Sequence, residues 1–151
     1  MSVQNFKLIS EFQPIQRRPF GLGDPDILNP NDTEPLLDGE FLELDSSYKM
    51  VRGSGSPATV PSFAYFAERG RYEVQAIQKG PFLYLGQYEA ETLIMDSSGI
   101  TLGEALEVDT VTVGAATWLR GLVQKTTGYV IGYATKLPAN NNGWLRFIRL
   151  G

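Results

Sequence analysis

The chain contains no cysteine and no histidine. Without cysteine there is no disulfide framework and no thiolate nucleophile. Without histidine it lacks the one side chain that titrates unaided near neutrality, and with it the commonest general base and metal ligand. Ser-His-Asp and Cys-His catalytic sets are excluded, as are the usual structural zinc sites. No apolar run approaches the roughly 20 residues a membrane helix needs. The opening "MSVQNFKLISEFQPIQRRPF" has neither a signal-peptide h-region nor a cleavage pattern. These absences predict a soluble protein made in the cytoplasm, with no membrane partner. A pI near 4.8 disfavours nucleic acid as a partner.

What is present favours strands. At 151 residues the chain suits one domain. Its 16 glycines, 8 Phe, 7 Tyr and 2 Trp suit short strands and tight turns better than helices. From Leu36 onward, turn signals recur about every 8–12 residues. "LLDGEFLELDSSYKMV" reads as strand, turn and strand, and "VRGSGSPATVPS" (51–62) as a loop. "SFAYFAE" and "RYEVQAIQ" (71–78) read as strands, with Lys79-Gly80-Pro81 as a turn before "FLYLGQYEAETLIMD". Gly86 in that last run marks a bulge or corner. In "DSSGITLGEALEVDTVTVG" the apolar Ile100, Leu102, Leu106 and Val108 share one face. "AATWLRGLVQKT" is a helical turn or a further strand, and "TTGYVIGYATKLPANNNGWLRFIRLG" is a hairpin. The pattern predicts an all-β fold, a small barrel or sandwich, over residues 39–151.

Residues 1–38 have a different texture. Pro14, Pro19, Pro25, Pro30 and Pro35 recur about every five residues, against both helix and central strand. Yet Phe6, Phe12, Ile15 and Phe20 make the stretch too apolar for a solvated linker. The reading is an extended N-terminal arm that lies on another surface or wraps its own domain. Phe6, Phe12, Ile15, Arg17, Arg18 and Phe20 are the candidate anchors on a partner.

Charge is segregated along the chain. Positions 24–45 carry eight acids and no base, whereas 110–151 carry Arg120, Lys125, Lys136, Arg146 and Arg149 and no acid. Arg120, Arg146 and Arg149 therefore form a candidate basic rim for an acidic partner, such as segment 24–45 of an adjacent copy. The interleaved Tyr129, Tyr133, Trp144 and Phe147 read as core aromatics more readily than as a stacking surface.

Catalytic patterns are weak. Glu89/Glu91 and Glu104/Glu107 are carboxylate pairs of the kind a glycosidase needs, but the first pair shares one solvent face of a strand. "DPDILNPND" (24–32) offers oxygen ligands without the spacing of a calcium loop, and Asp-Pro and Asn-Pro start turns. No catalytic, cofactor-binding or metal residue is singled out, and no enzyme activity or cofactor is expected.

"GITLGEALEVD" (99–109), followed about twenty residues later by "GYVIGYATKLPANNNGWLRFIRL" (128–150), resembles the C-terminal half of head decoration (cement) proteins of tailed bacteriophages. Gly132, Tyr133 and Ala134 match a Val-x-Gly-x-Ala strand of that family, and Leu145 to Leu150 match its final apolar strand. The resemblance implies a non-enzymatic virion protein on the outer capsid surface. It would act as a homotrimer that clamps neighbouring major-capsid subunits. A phage tail or adaptor β module, and a carbohydrate-binding β domain, remain the alternative readings.

Overall fold

Alternation with period two sets the faces of the sheets. In the strand Gln87–Thr92, Tyr88, Ala90 and Thr92 are buried while Gln87, Glu89 and Glu91 face outward. The computed structural model describes residues 5–67, 79–140 and 143–150. Among them run β1 (Phe6–Glu11), β2 (Gln16–Gly21), a 3-10 turn (Pro25–Leu28), β3 (Phe41–Leu44), β4 (Met50–Val51) and β5 (Ser62–Tyr65). They continue with β6 (Lys79–Leu85), β7 (Gln87–Thr92), β8 (Ala105–Val113), β9 (Ala116–Gln124), β10 (Gly132–Lys136) and β11 (Leu145–Leu150). The fold is all-β, as expected.

Two curled antiparallel sheets result, one six-stranded in the order β1-β7-β11-β10-β8-β9, the other five-stranded in the order β2-β6-β5-β3-β4. A parallel bridge between Leu22 and Met50 links the two edges of the smaller sheet. A second, between Met95 and Leu122, covers part of β9 with the chain that follows β7. Curling in this way leaves fewer backbone groups open at the edges.

The main core lies between the sheets. Phe41, Ala64 and Leu83 from the smaller sheet meet Phe6, Tyr88, Leu106 and Phe147 from the larger. Phe147 packs edge-on against Phe6, Phe41 and Tyr88, with ring centroids 6.1–6.3 Å apart. The other parity of the smaller sheet, Leu42, Tyr65 and Phe82, faces a second core that Ile27 and Leu36 cover. Each such Phe or Leu contributes about 1.5–3 kcal/mol when removed from water.

β6 and β7 are nearly one strand, separated only by Gly86, and β1 and β2 run antiparallel beside them throughout. This ribbon passes from one sheet to the other at Gly86, which has φ +125°. A Cβ there would stand 2.9 Å from the Ile15 Cα. The expected corner is therefore present, and only glycine fits it.

The same ribbon corrects the expectation of a separate arm. Residues 6–38 belong to the β body, and Phe6, Ile15, Phe20, Leu22, Ile27 and Leu36 are buried in its own cores. The prolines fail as a veto because each stands where no N–H is needed. Pro14 occupies the crossover, Pro25 begins the 3-10 turn, and Pro30 and Pro35 lie in loops. Pro19 sits on an edge strand directly opposite Pro81.

Other expectations shift similarly. Lys79-Gly80-Pro81 is the start of β6, paired with Pro19–Gly21, and not a turn. Residues 116–124 form a strand and not a helical turn. Ile100, Leu106 and Val108 are buried, but Leu102 is 66% exposed in the loop before β8. The strand expected at 71–78 lies outside the described residues.

Candidate functional site

The six candidate anchors separate by environment. Phe6, Ile15 and Phe20 are core residues and are not available to a partner. Arg17 bonds Glu11 of the same chain. Arg18 is exposed and lies 5.0 and 5.3 Å over the rings of Phe20 and Tyr84. Phe12 is 50% exposed, in the crossover just beyond β1. Ile9, the extra residue at a register shift in β1, is 41% exposed. Phe12 and Ile9 thus leave an apolar rim along β1, an edge strand whose outer side pairs with no strand among the described residues.

The basic rim is likewise redistributed. Arg120 and Arg149 are inside the protein, 2% and 4% exposed, and only Arg146 stays at the surface. Arg146 joins a cross-strand row with Glu91 and Lys7, and its Nη2 lies 3.4 Å from the Glu91 carboxylate. The Lys7 ammonium sits 4.1 Å above Trp144. Phe147 is core, as the sequence suggests, whereas Tyr129 and Tyr133 are about 40% exposed.

Arg120 lies in a seam where β9 meets the chain around residues 34–56. Its guanidinium donates to Thr110 Oγ1 at 3.0 Å and to the Gly55 carbonyl at 2.8 Å. The carboxylates of Glu43 and Asp109 each stand 3.8 Å away. The backbone N–H of Arg120 donates to Glu40, whose carboxylate is fully buried. Each Glu40 oxygen accepts twice: Arg52 Nε and Arg120 N on one, Arg52 Nη2 and Leu37 N on the other. Arg52 also donates to the carbonyls of Glu34 and Pro35, and Trp118 Nε1 reaches Pro35 as well. Gly53 leaves room for the Glu43 carboxylate against the loop backbone. The acidic and basic segments do meet, but within one chain.

Arg149 lies in a second seam, between β11 and β5. Its Nη1 donates to the Ser62 carbonyl at 2.6 Å, and its guanidinium lies 5.2 Å from the Phe63 ring centroid. Tyr88 is its cross-strand partner. Burial pushes the Tyr88 pKa up, against smaller downward pulls from the Arg149 charge and from hydrogen bonding to the Arg149 side chain.

The carboxylate pairs act structurally. Glu89 accepts from Thr135, and Glu91 pairs with Arg146. Glu107 is buried, accepting from the N–H groups of Thr126 and Gly128. Glu104 accepts from Gln124 and Thr101, which hold its pKa below the usual value. The 24–34 loop is a series of side-chain turns, in which Asp24, Asn29 and Asp32 each accept the N–H two residues on. Among the described residues no group of three acids is placed to hold a metal ion.

Sequence reasoning missed Glu40, Arg52, Ser62 and Tyr88. For Tyr88 the signal is parity: it alternates inward with Ala90 and Thr92, which buries its side chain. Glu40 carries no such mark. No protein-family model, no curated protein and no solved structure matches the chain.

Proposed function

We propose that the chain is a non-enzymatic virion protein of a tailed bacteriophage. In this reading it binds the outer capsid surface and ties neighbouring major-capsid subunits together. The observation that carries the reading is the apolar rim of Ile9 and Phe12 along the edge strand β1, whose outer side is unpaired among the described residues. An open strand edge can pair with a strand of a partner while its side chains fill pockets there. The carboxylate pairs weighed for catalysis are instead occupied with structural bonds, which favours adhesion in this reading. The two stretches that resemble decoration proteins also lie together, since β8, β10 and β11 are successive neighbours in one sheet.

Adhesion through the body replaces adhesion through an arm. Repetition over a lattice would multiply modest contacts through avidity, and a homotrimer would add to it. Immunogold labelling of purified particles of the encoding phage tests the reading. Label on heads supports it, label confined to tails favours a tail or adaptor module, and unlabelled particles refute both. An Ile9→Asp/Phe12→Asp variant should remain folded and lose at least about thirtyfold in capsid affinity. Size-exclusion chromatography with light scattering gives the subunit number.

A further inference from the structure

The seam around Arg149 combines a buried positive charge with two buried hydroxyls whose protons have no acceptor among the described residues. Arg149 points inward from β11 and is 4% exposed. Among the described residues no carboxylate lies within ion-pair distance of it. Glu11, on the same cross-strand row through Tyr88, is engaged by Arg17. The Tyr88 and Ser62 hydroxyls are both buried; among the described residues Ser62 Oγ has no hydrogen-bond partner, and the Tyr88 hydroxyl, drawn only toward the Arg149 side chain, has no acceptor for its proton. Ser62 adjoins the guanidinium through its carbonyl, and Tyr88 through the β7–β11 pairing.

Such groups are rare in folded proteins, because a buried polar atom without a partner costs about 1–3 kcal/mol. A buried guanidinium without a counter-charge costs more. The three side chains have a common need. Of the five guanidinium N–H donors some remain beyond those directed at Ser62 and Tyr88, and each hydroxyl can donate. Burial keeps the Tyr88 hydroxyl protonated, so it stays a donor. A cation would be repelled by Arg149, and a water would satisfy the hydroxyls while leaving the charge uncompensated. A compact anion meets both requirements. The rings of Phe63 and Phe147 border the seam, and low-polarity walls strengthen an ionic contact.

We propose that Arg149, Tyr88 and Ser62 form a binding site for one small inorganic anion between the two sheets. The anion completes the inter-sheet contact at this end, where Arg149 is otherwise tied to β5 by a single hydrogen bond. The proposal stands apart from any role on a capsid.

Chloride binding to the full chain can be followed by chloride NMR line broadening, with sodium gluconate holding ionic strength constant. The native chain should show broadening that saturates with chloride, and inorganic phosphate serves as competitor. Displacement by phosphate would extend the site to oxyanions, and failure to displace would restrict it to halides; saturable broadening supports the site in either case. Arg149→Met should abolish the saturable component. Tyr88→Phe keeps the ring and its packing and should weaken chloride at least about tenfold. If Arg149→Met does not fold by circular dichroism, Tyr88→Phe decides alone. No saturable broadening in the native chain, or unchanged affinity in Tyr88→Phe, overturns the proposal.

Discussion

Arg120 reaches from β9 into a seam of oxygen atoms: two carboxylates at 3.8 Å, a threonine hydroxyl and a backbone carbonyl. Arg149 reaches from β11 into a seam of rings and hydroxyls, with one carbonyl and no acid among the described residues. Both belong to the acid-free C-terminal third, and both are nearly fully buried. The difference follows from which strand each faces. β9 adjoins the acidic stretch that supplies Glu40 and Glu43, whereas β11 faces Ser62 and Phe63. A buried charge with acids around it is a structural joint. One without them depends on a counter-charge from solution, so the two arginines should respond oppositely to deletion and to salt.

The largest effect is expected at the centre of the acidic seam. Glu40→Gln keeps the shape but removes the charge that Arg52 grips at 2.8 Å on both oxygens. An uncompensated guanidinium would remain beside a fully buried position, at a cost of about 3–5 kcal/mol. Urea unfolding followed by circular dichroism measures this, and a loss below about 1 kcal/mol would break the account of the seam.

The direct comparison is the same substitution at both arginines. Arg120→Met strips partners from Thr110, Gly55, Glu43 and Asp109, and should cost about 2–3 kcal/mol. Arg149→Met removes a charge with no acid beside it among the described residues, so in gluconate it should lie within about 1 kcal/mol of the native chain. Its deficit should grow in chloride, because only the native chain gains from binding. Equal losses at the two positions, independent of the anion, would erase the distinction.

Period two and turn chemistry made much of the fold legible. Tyr88, Ala90 and Thr92, the turn at Asp45, and the corner at Gly86 stand where local rules put them. The position of residues 6–38 was not legible, because proline reports only that an N–H is missing. Whether an edge, a crossover or a neighbouring proline makes that harmless depends on pairing with residues 79–92, far away in sequence. The basic rim was misplaced for a related reason. A run of Arg and Lys without acids resembles a solvated face until the strand opposite is known. Glu40 and Ser62 decide the matter for Arg120 and Arg149, and both are distant in sequence.

A smaller effect tests the acid side of the same comparison. Glu40 accepts from four donors, whereas among the described residues the half-buried Asp38 accepts from one, the Ala67 N–H at 2.9 Å. Burial, the larger influence, raises the Asp38 pKa above 3.8, and that hydrogen bond only partly opposes it. Relative to the unfolded chain, the folded chain therefore favours protonated Asp38. The associated stability is present below the unfolded pKa and is lost as pH rises through the folded one. Asp38→Asn keeps an acceptor for Ala67 and abolishes the titration. Its stability relative to the native chain should improve between about pH 3 and about pH 7, by less than about 0.5 kcal/mol. Asp96 provides the opposite sign: hydrogen bonds from Ser98 lower its pKa, so Asp96→Asn should lose ground over the same interval. Parallel unfolding curves for the two variants, with trends of the same sign, would show that donor supply does not separate these acids.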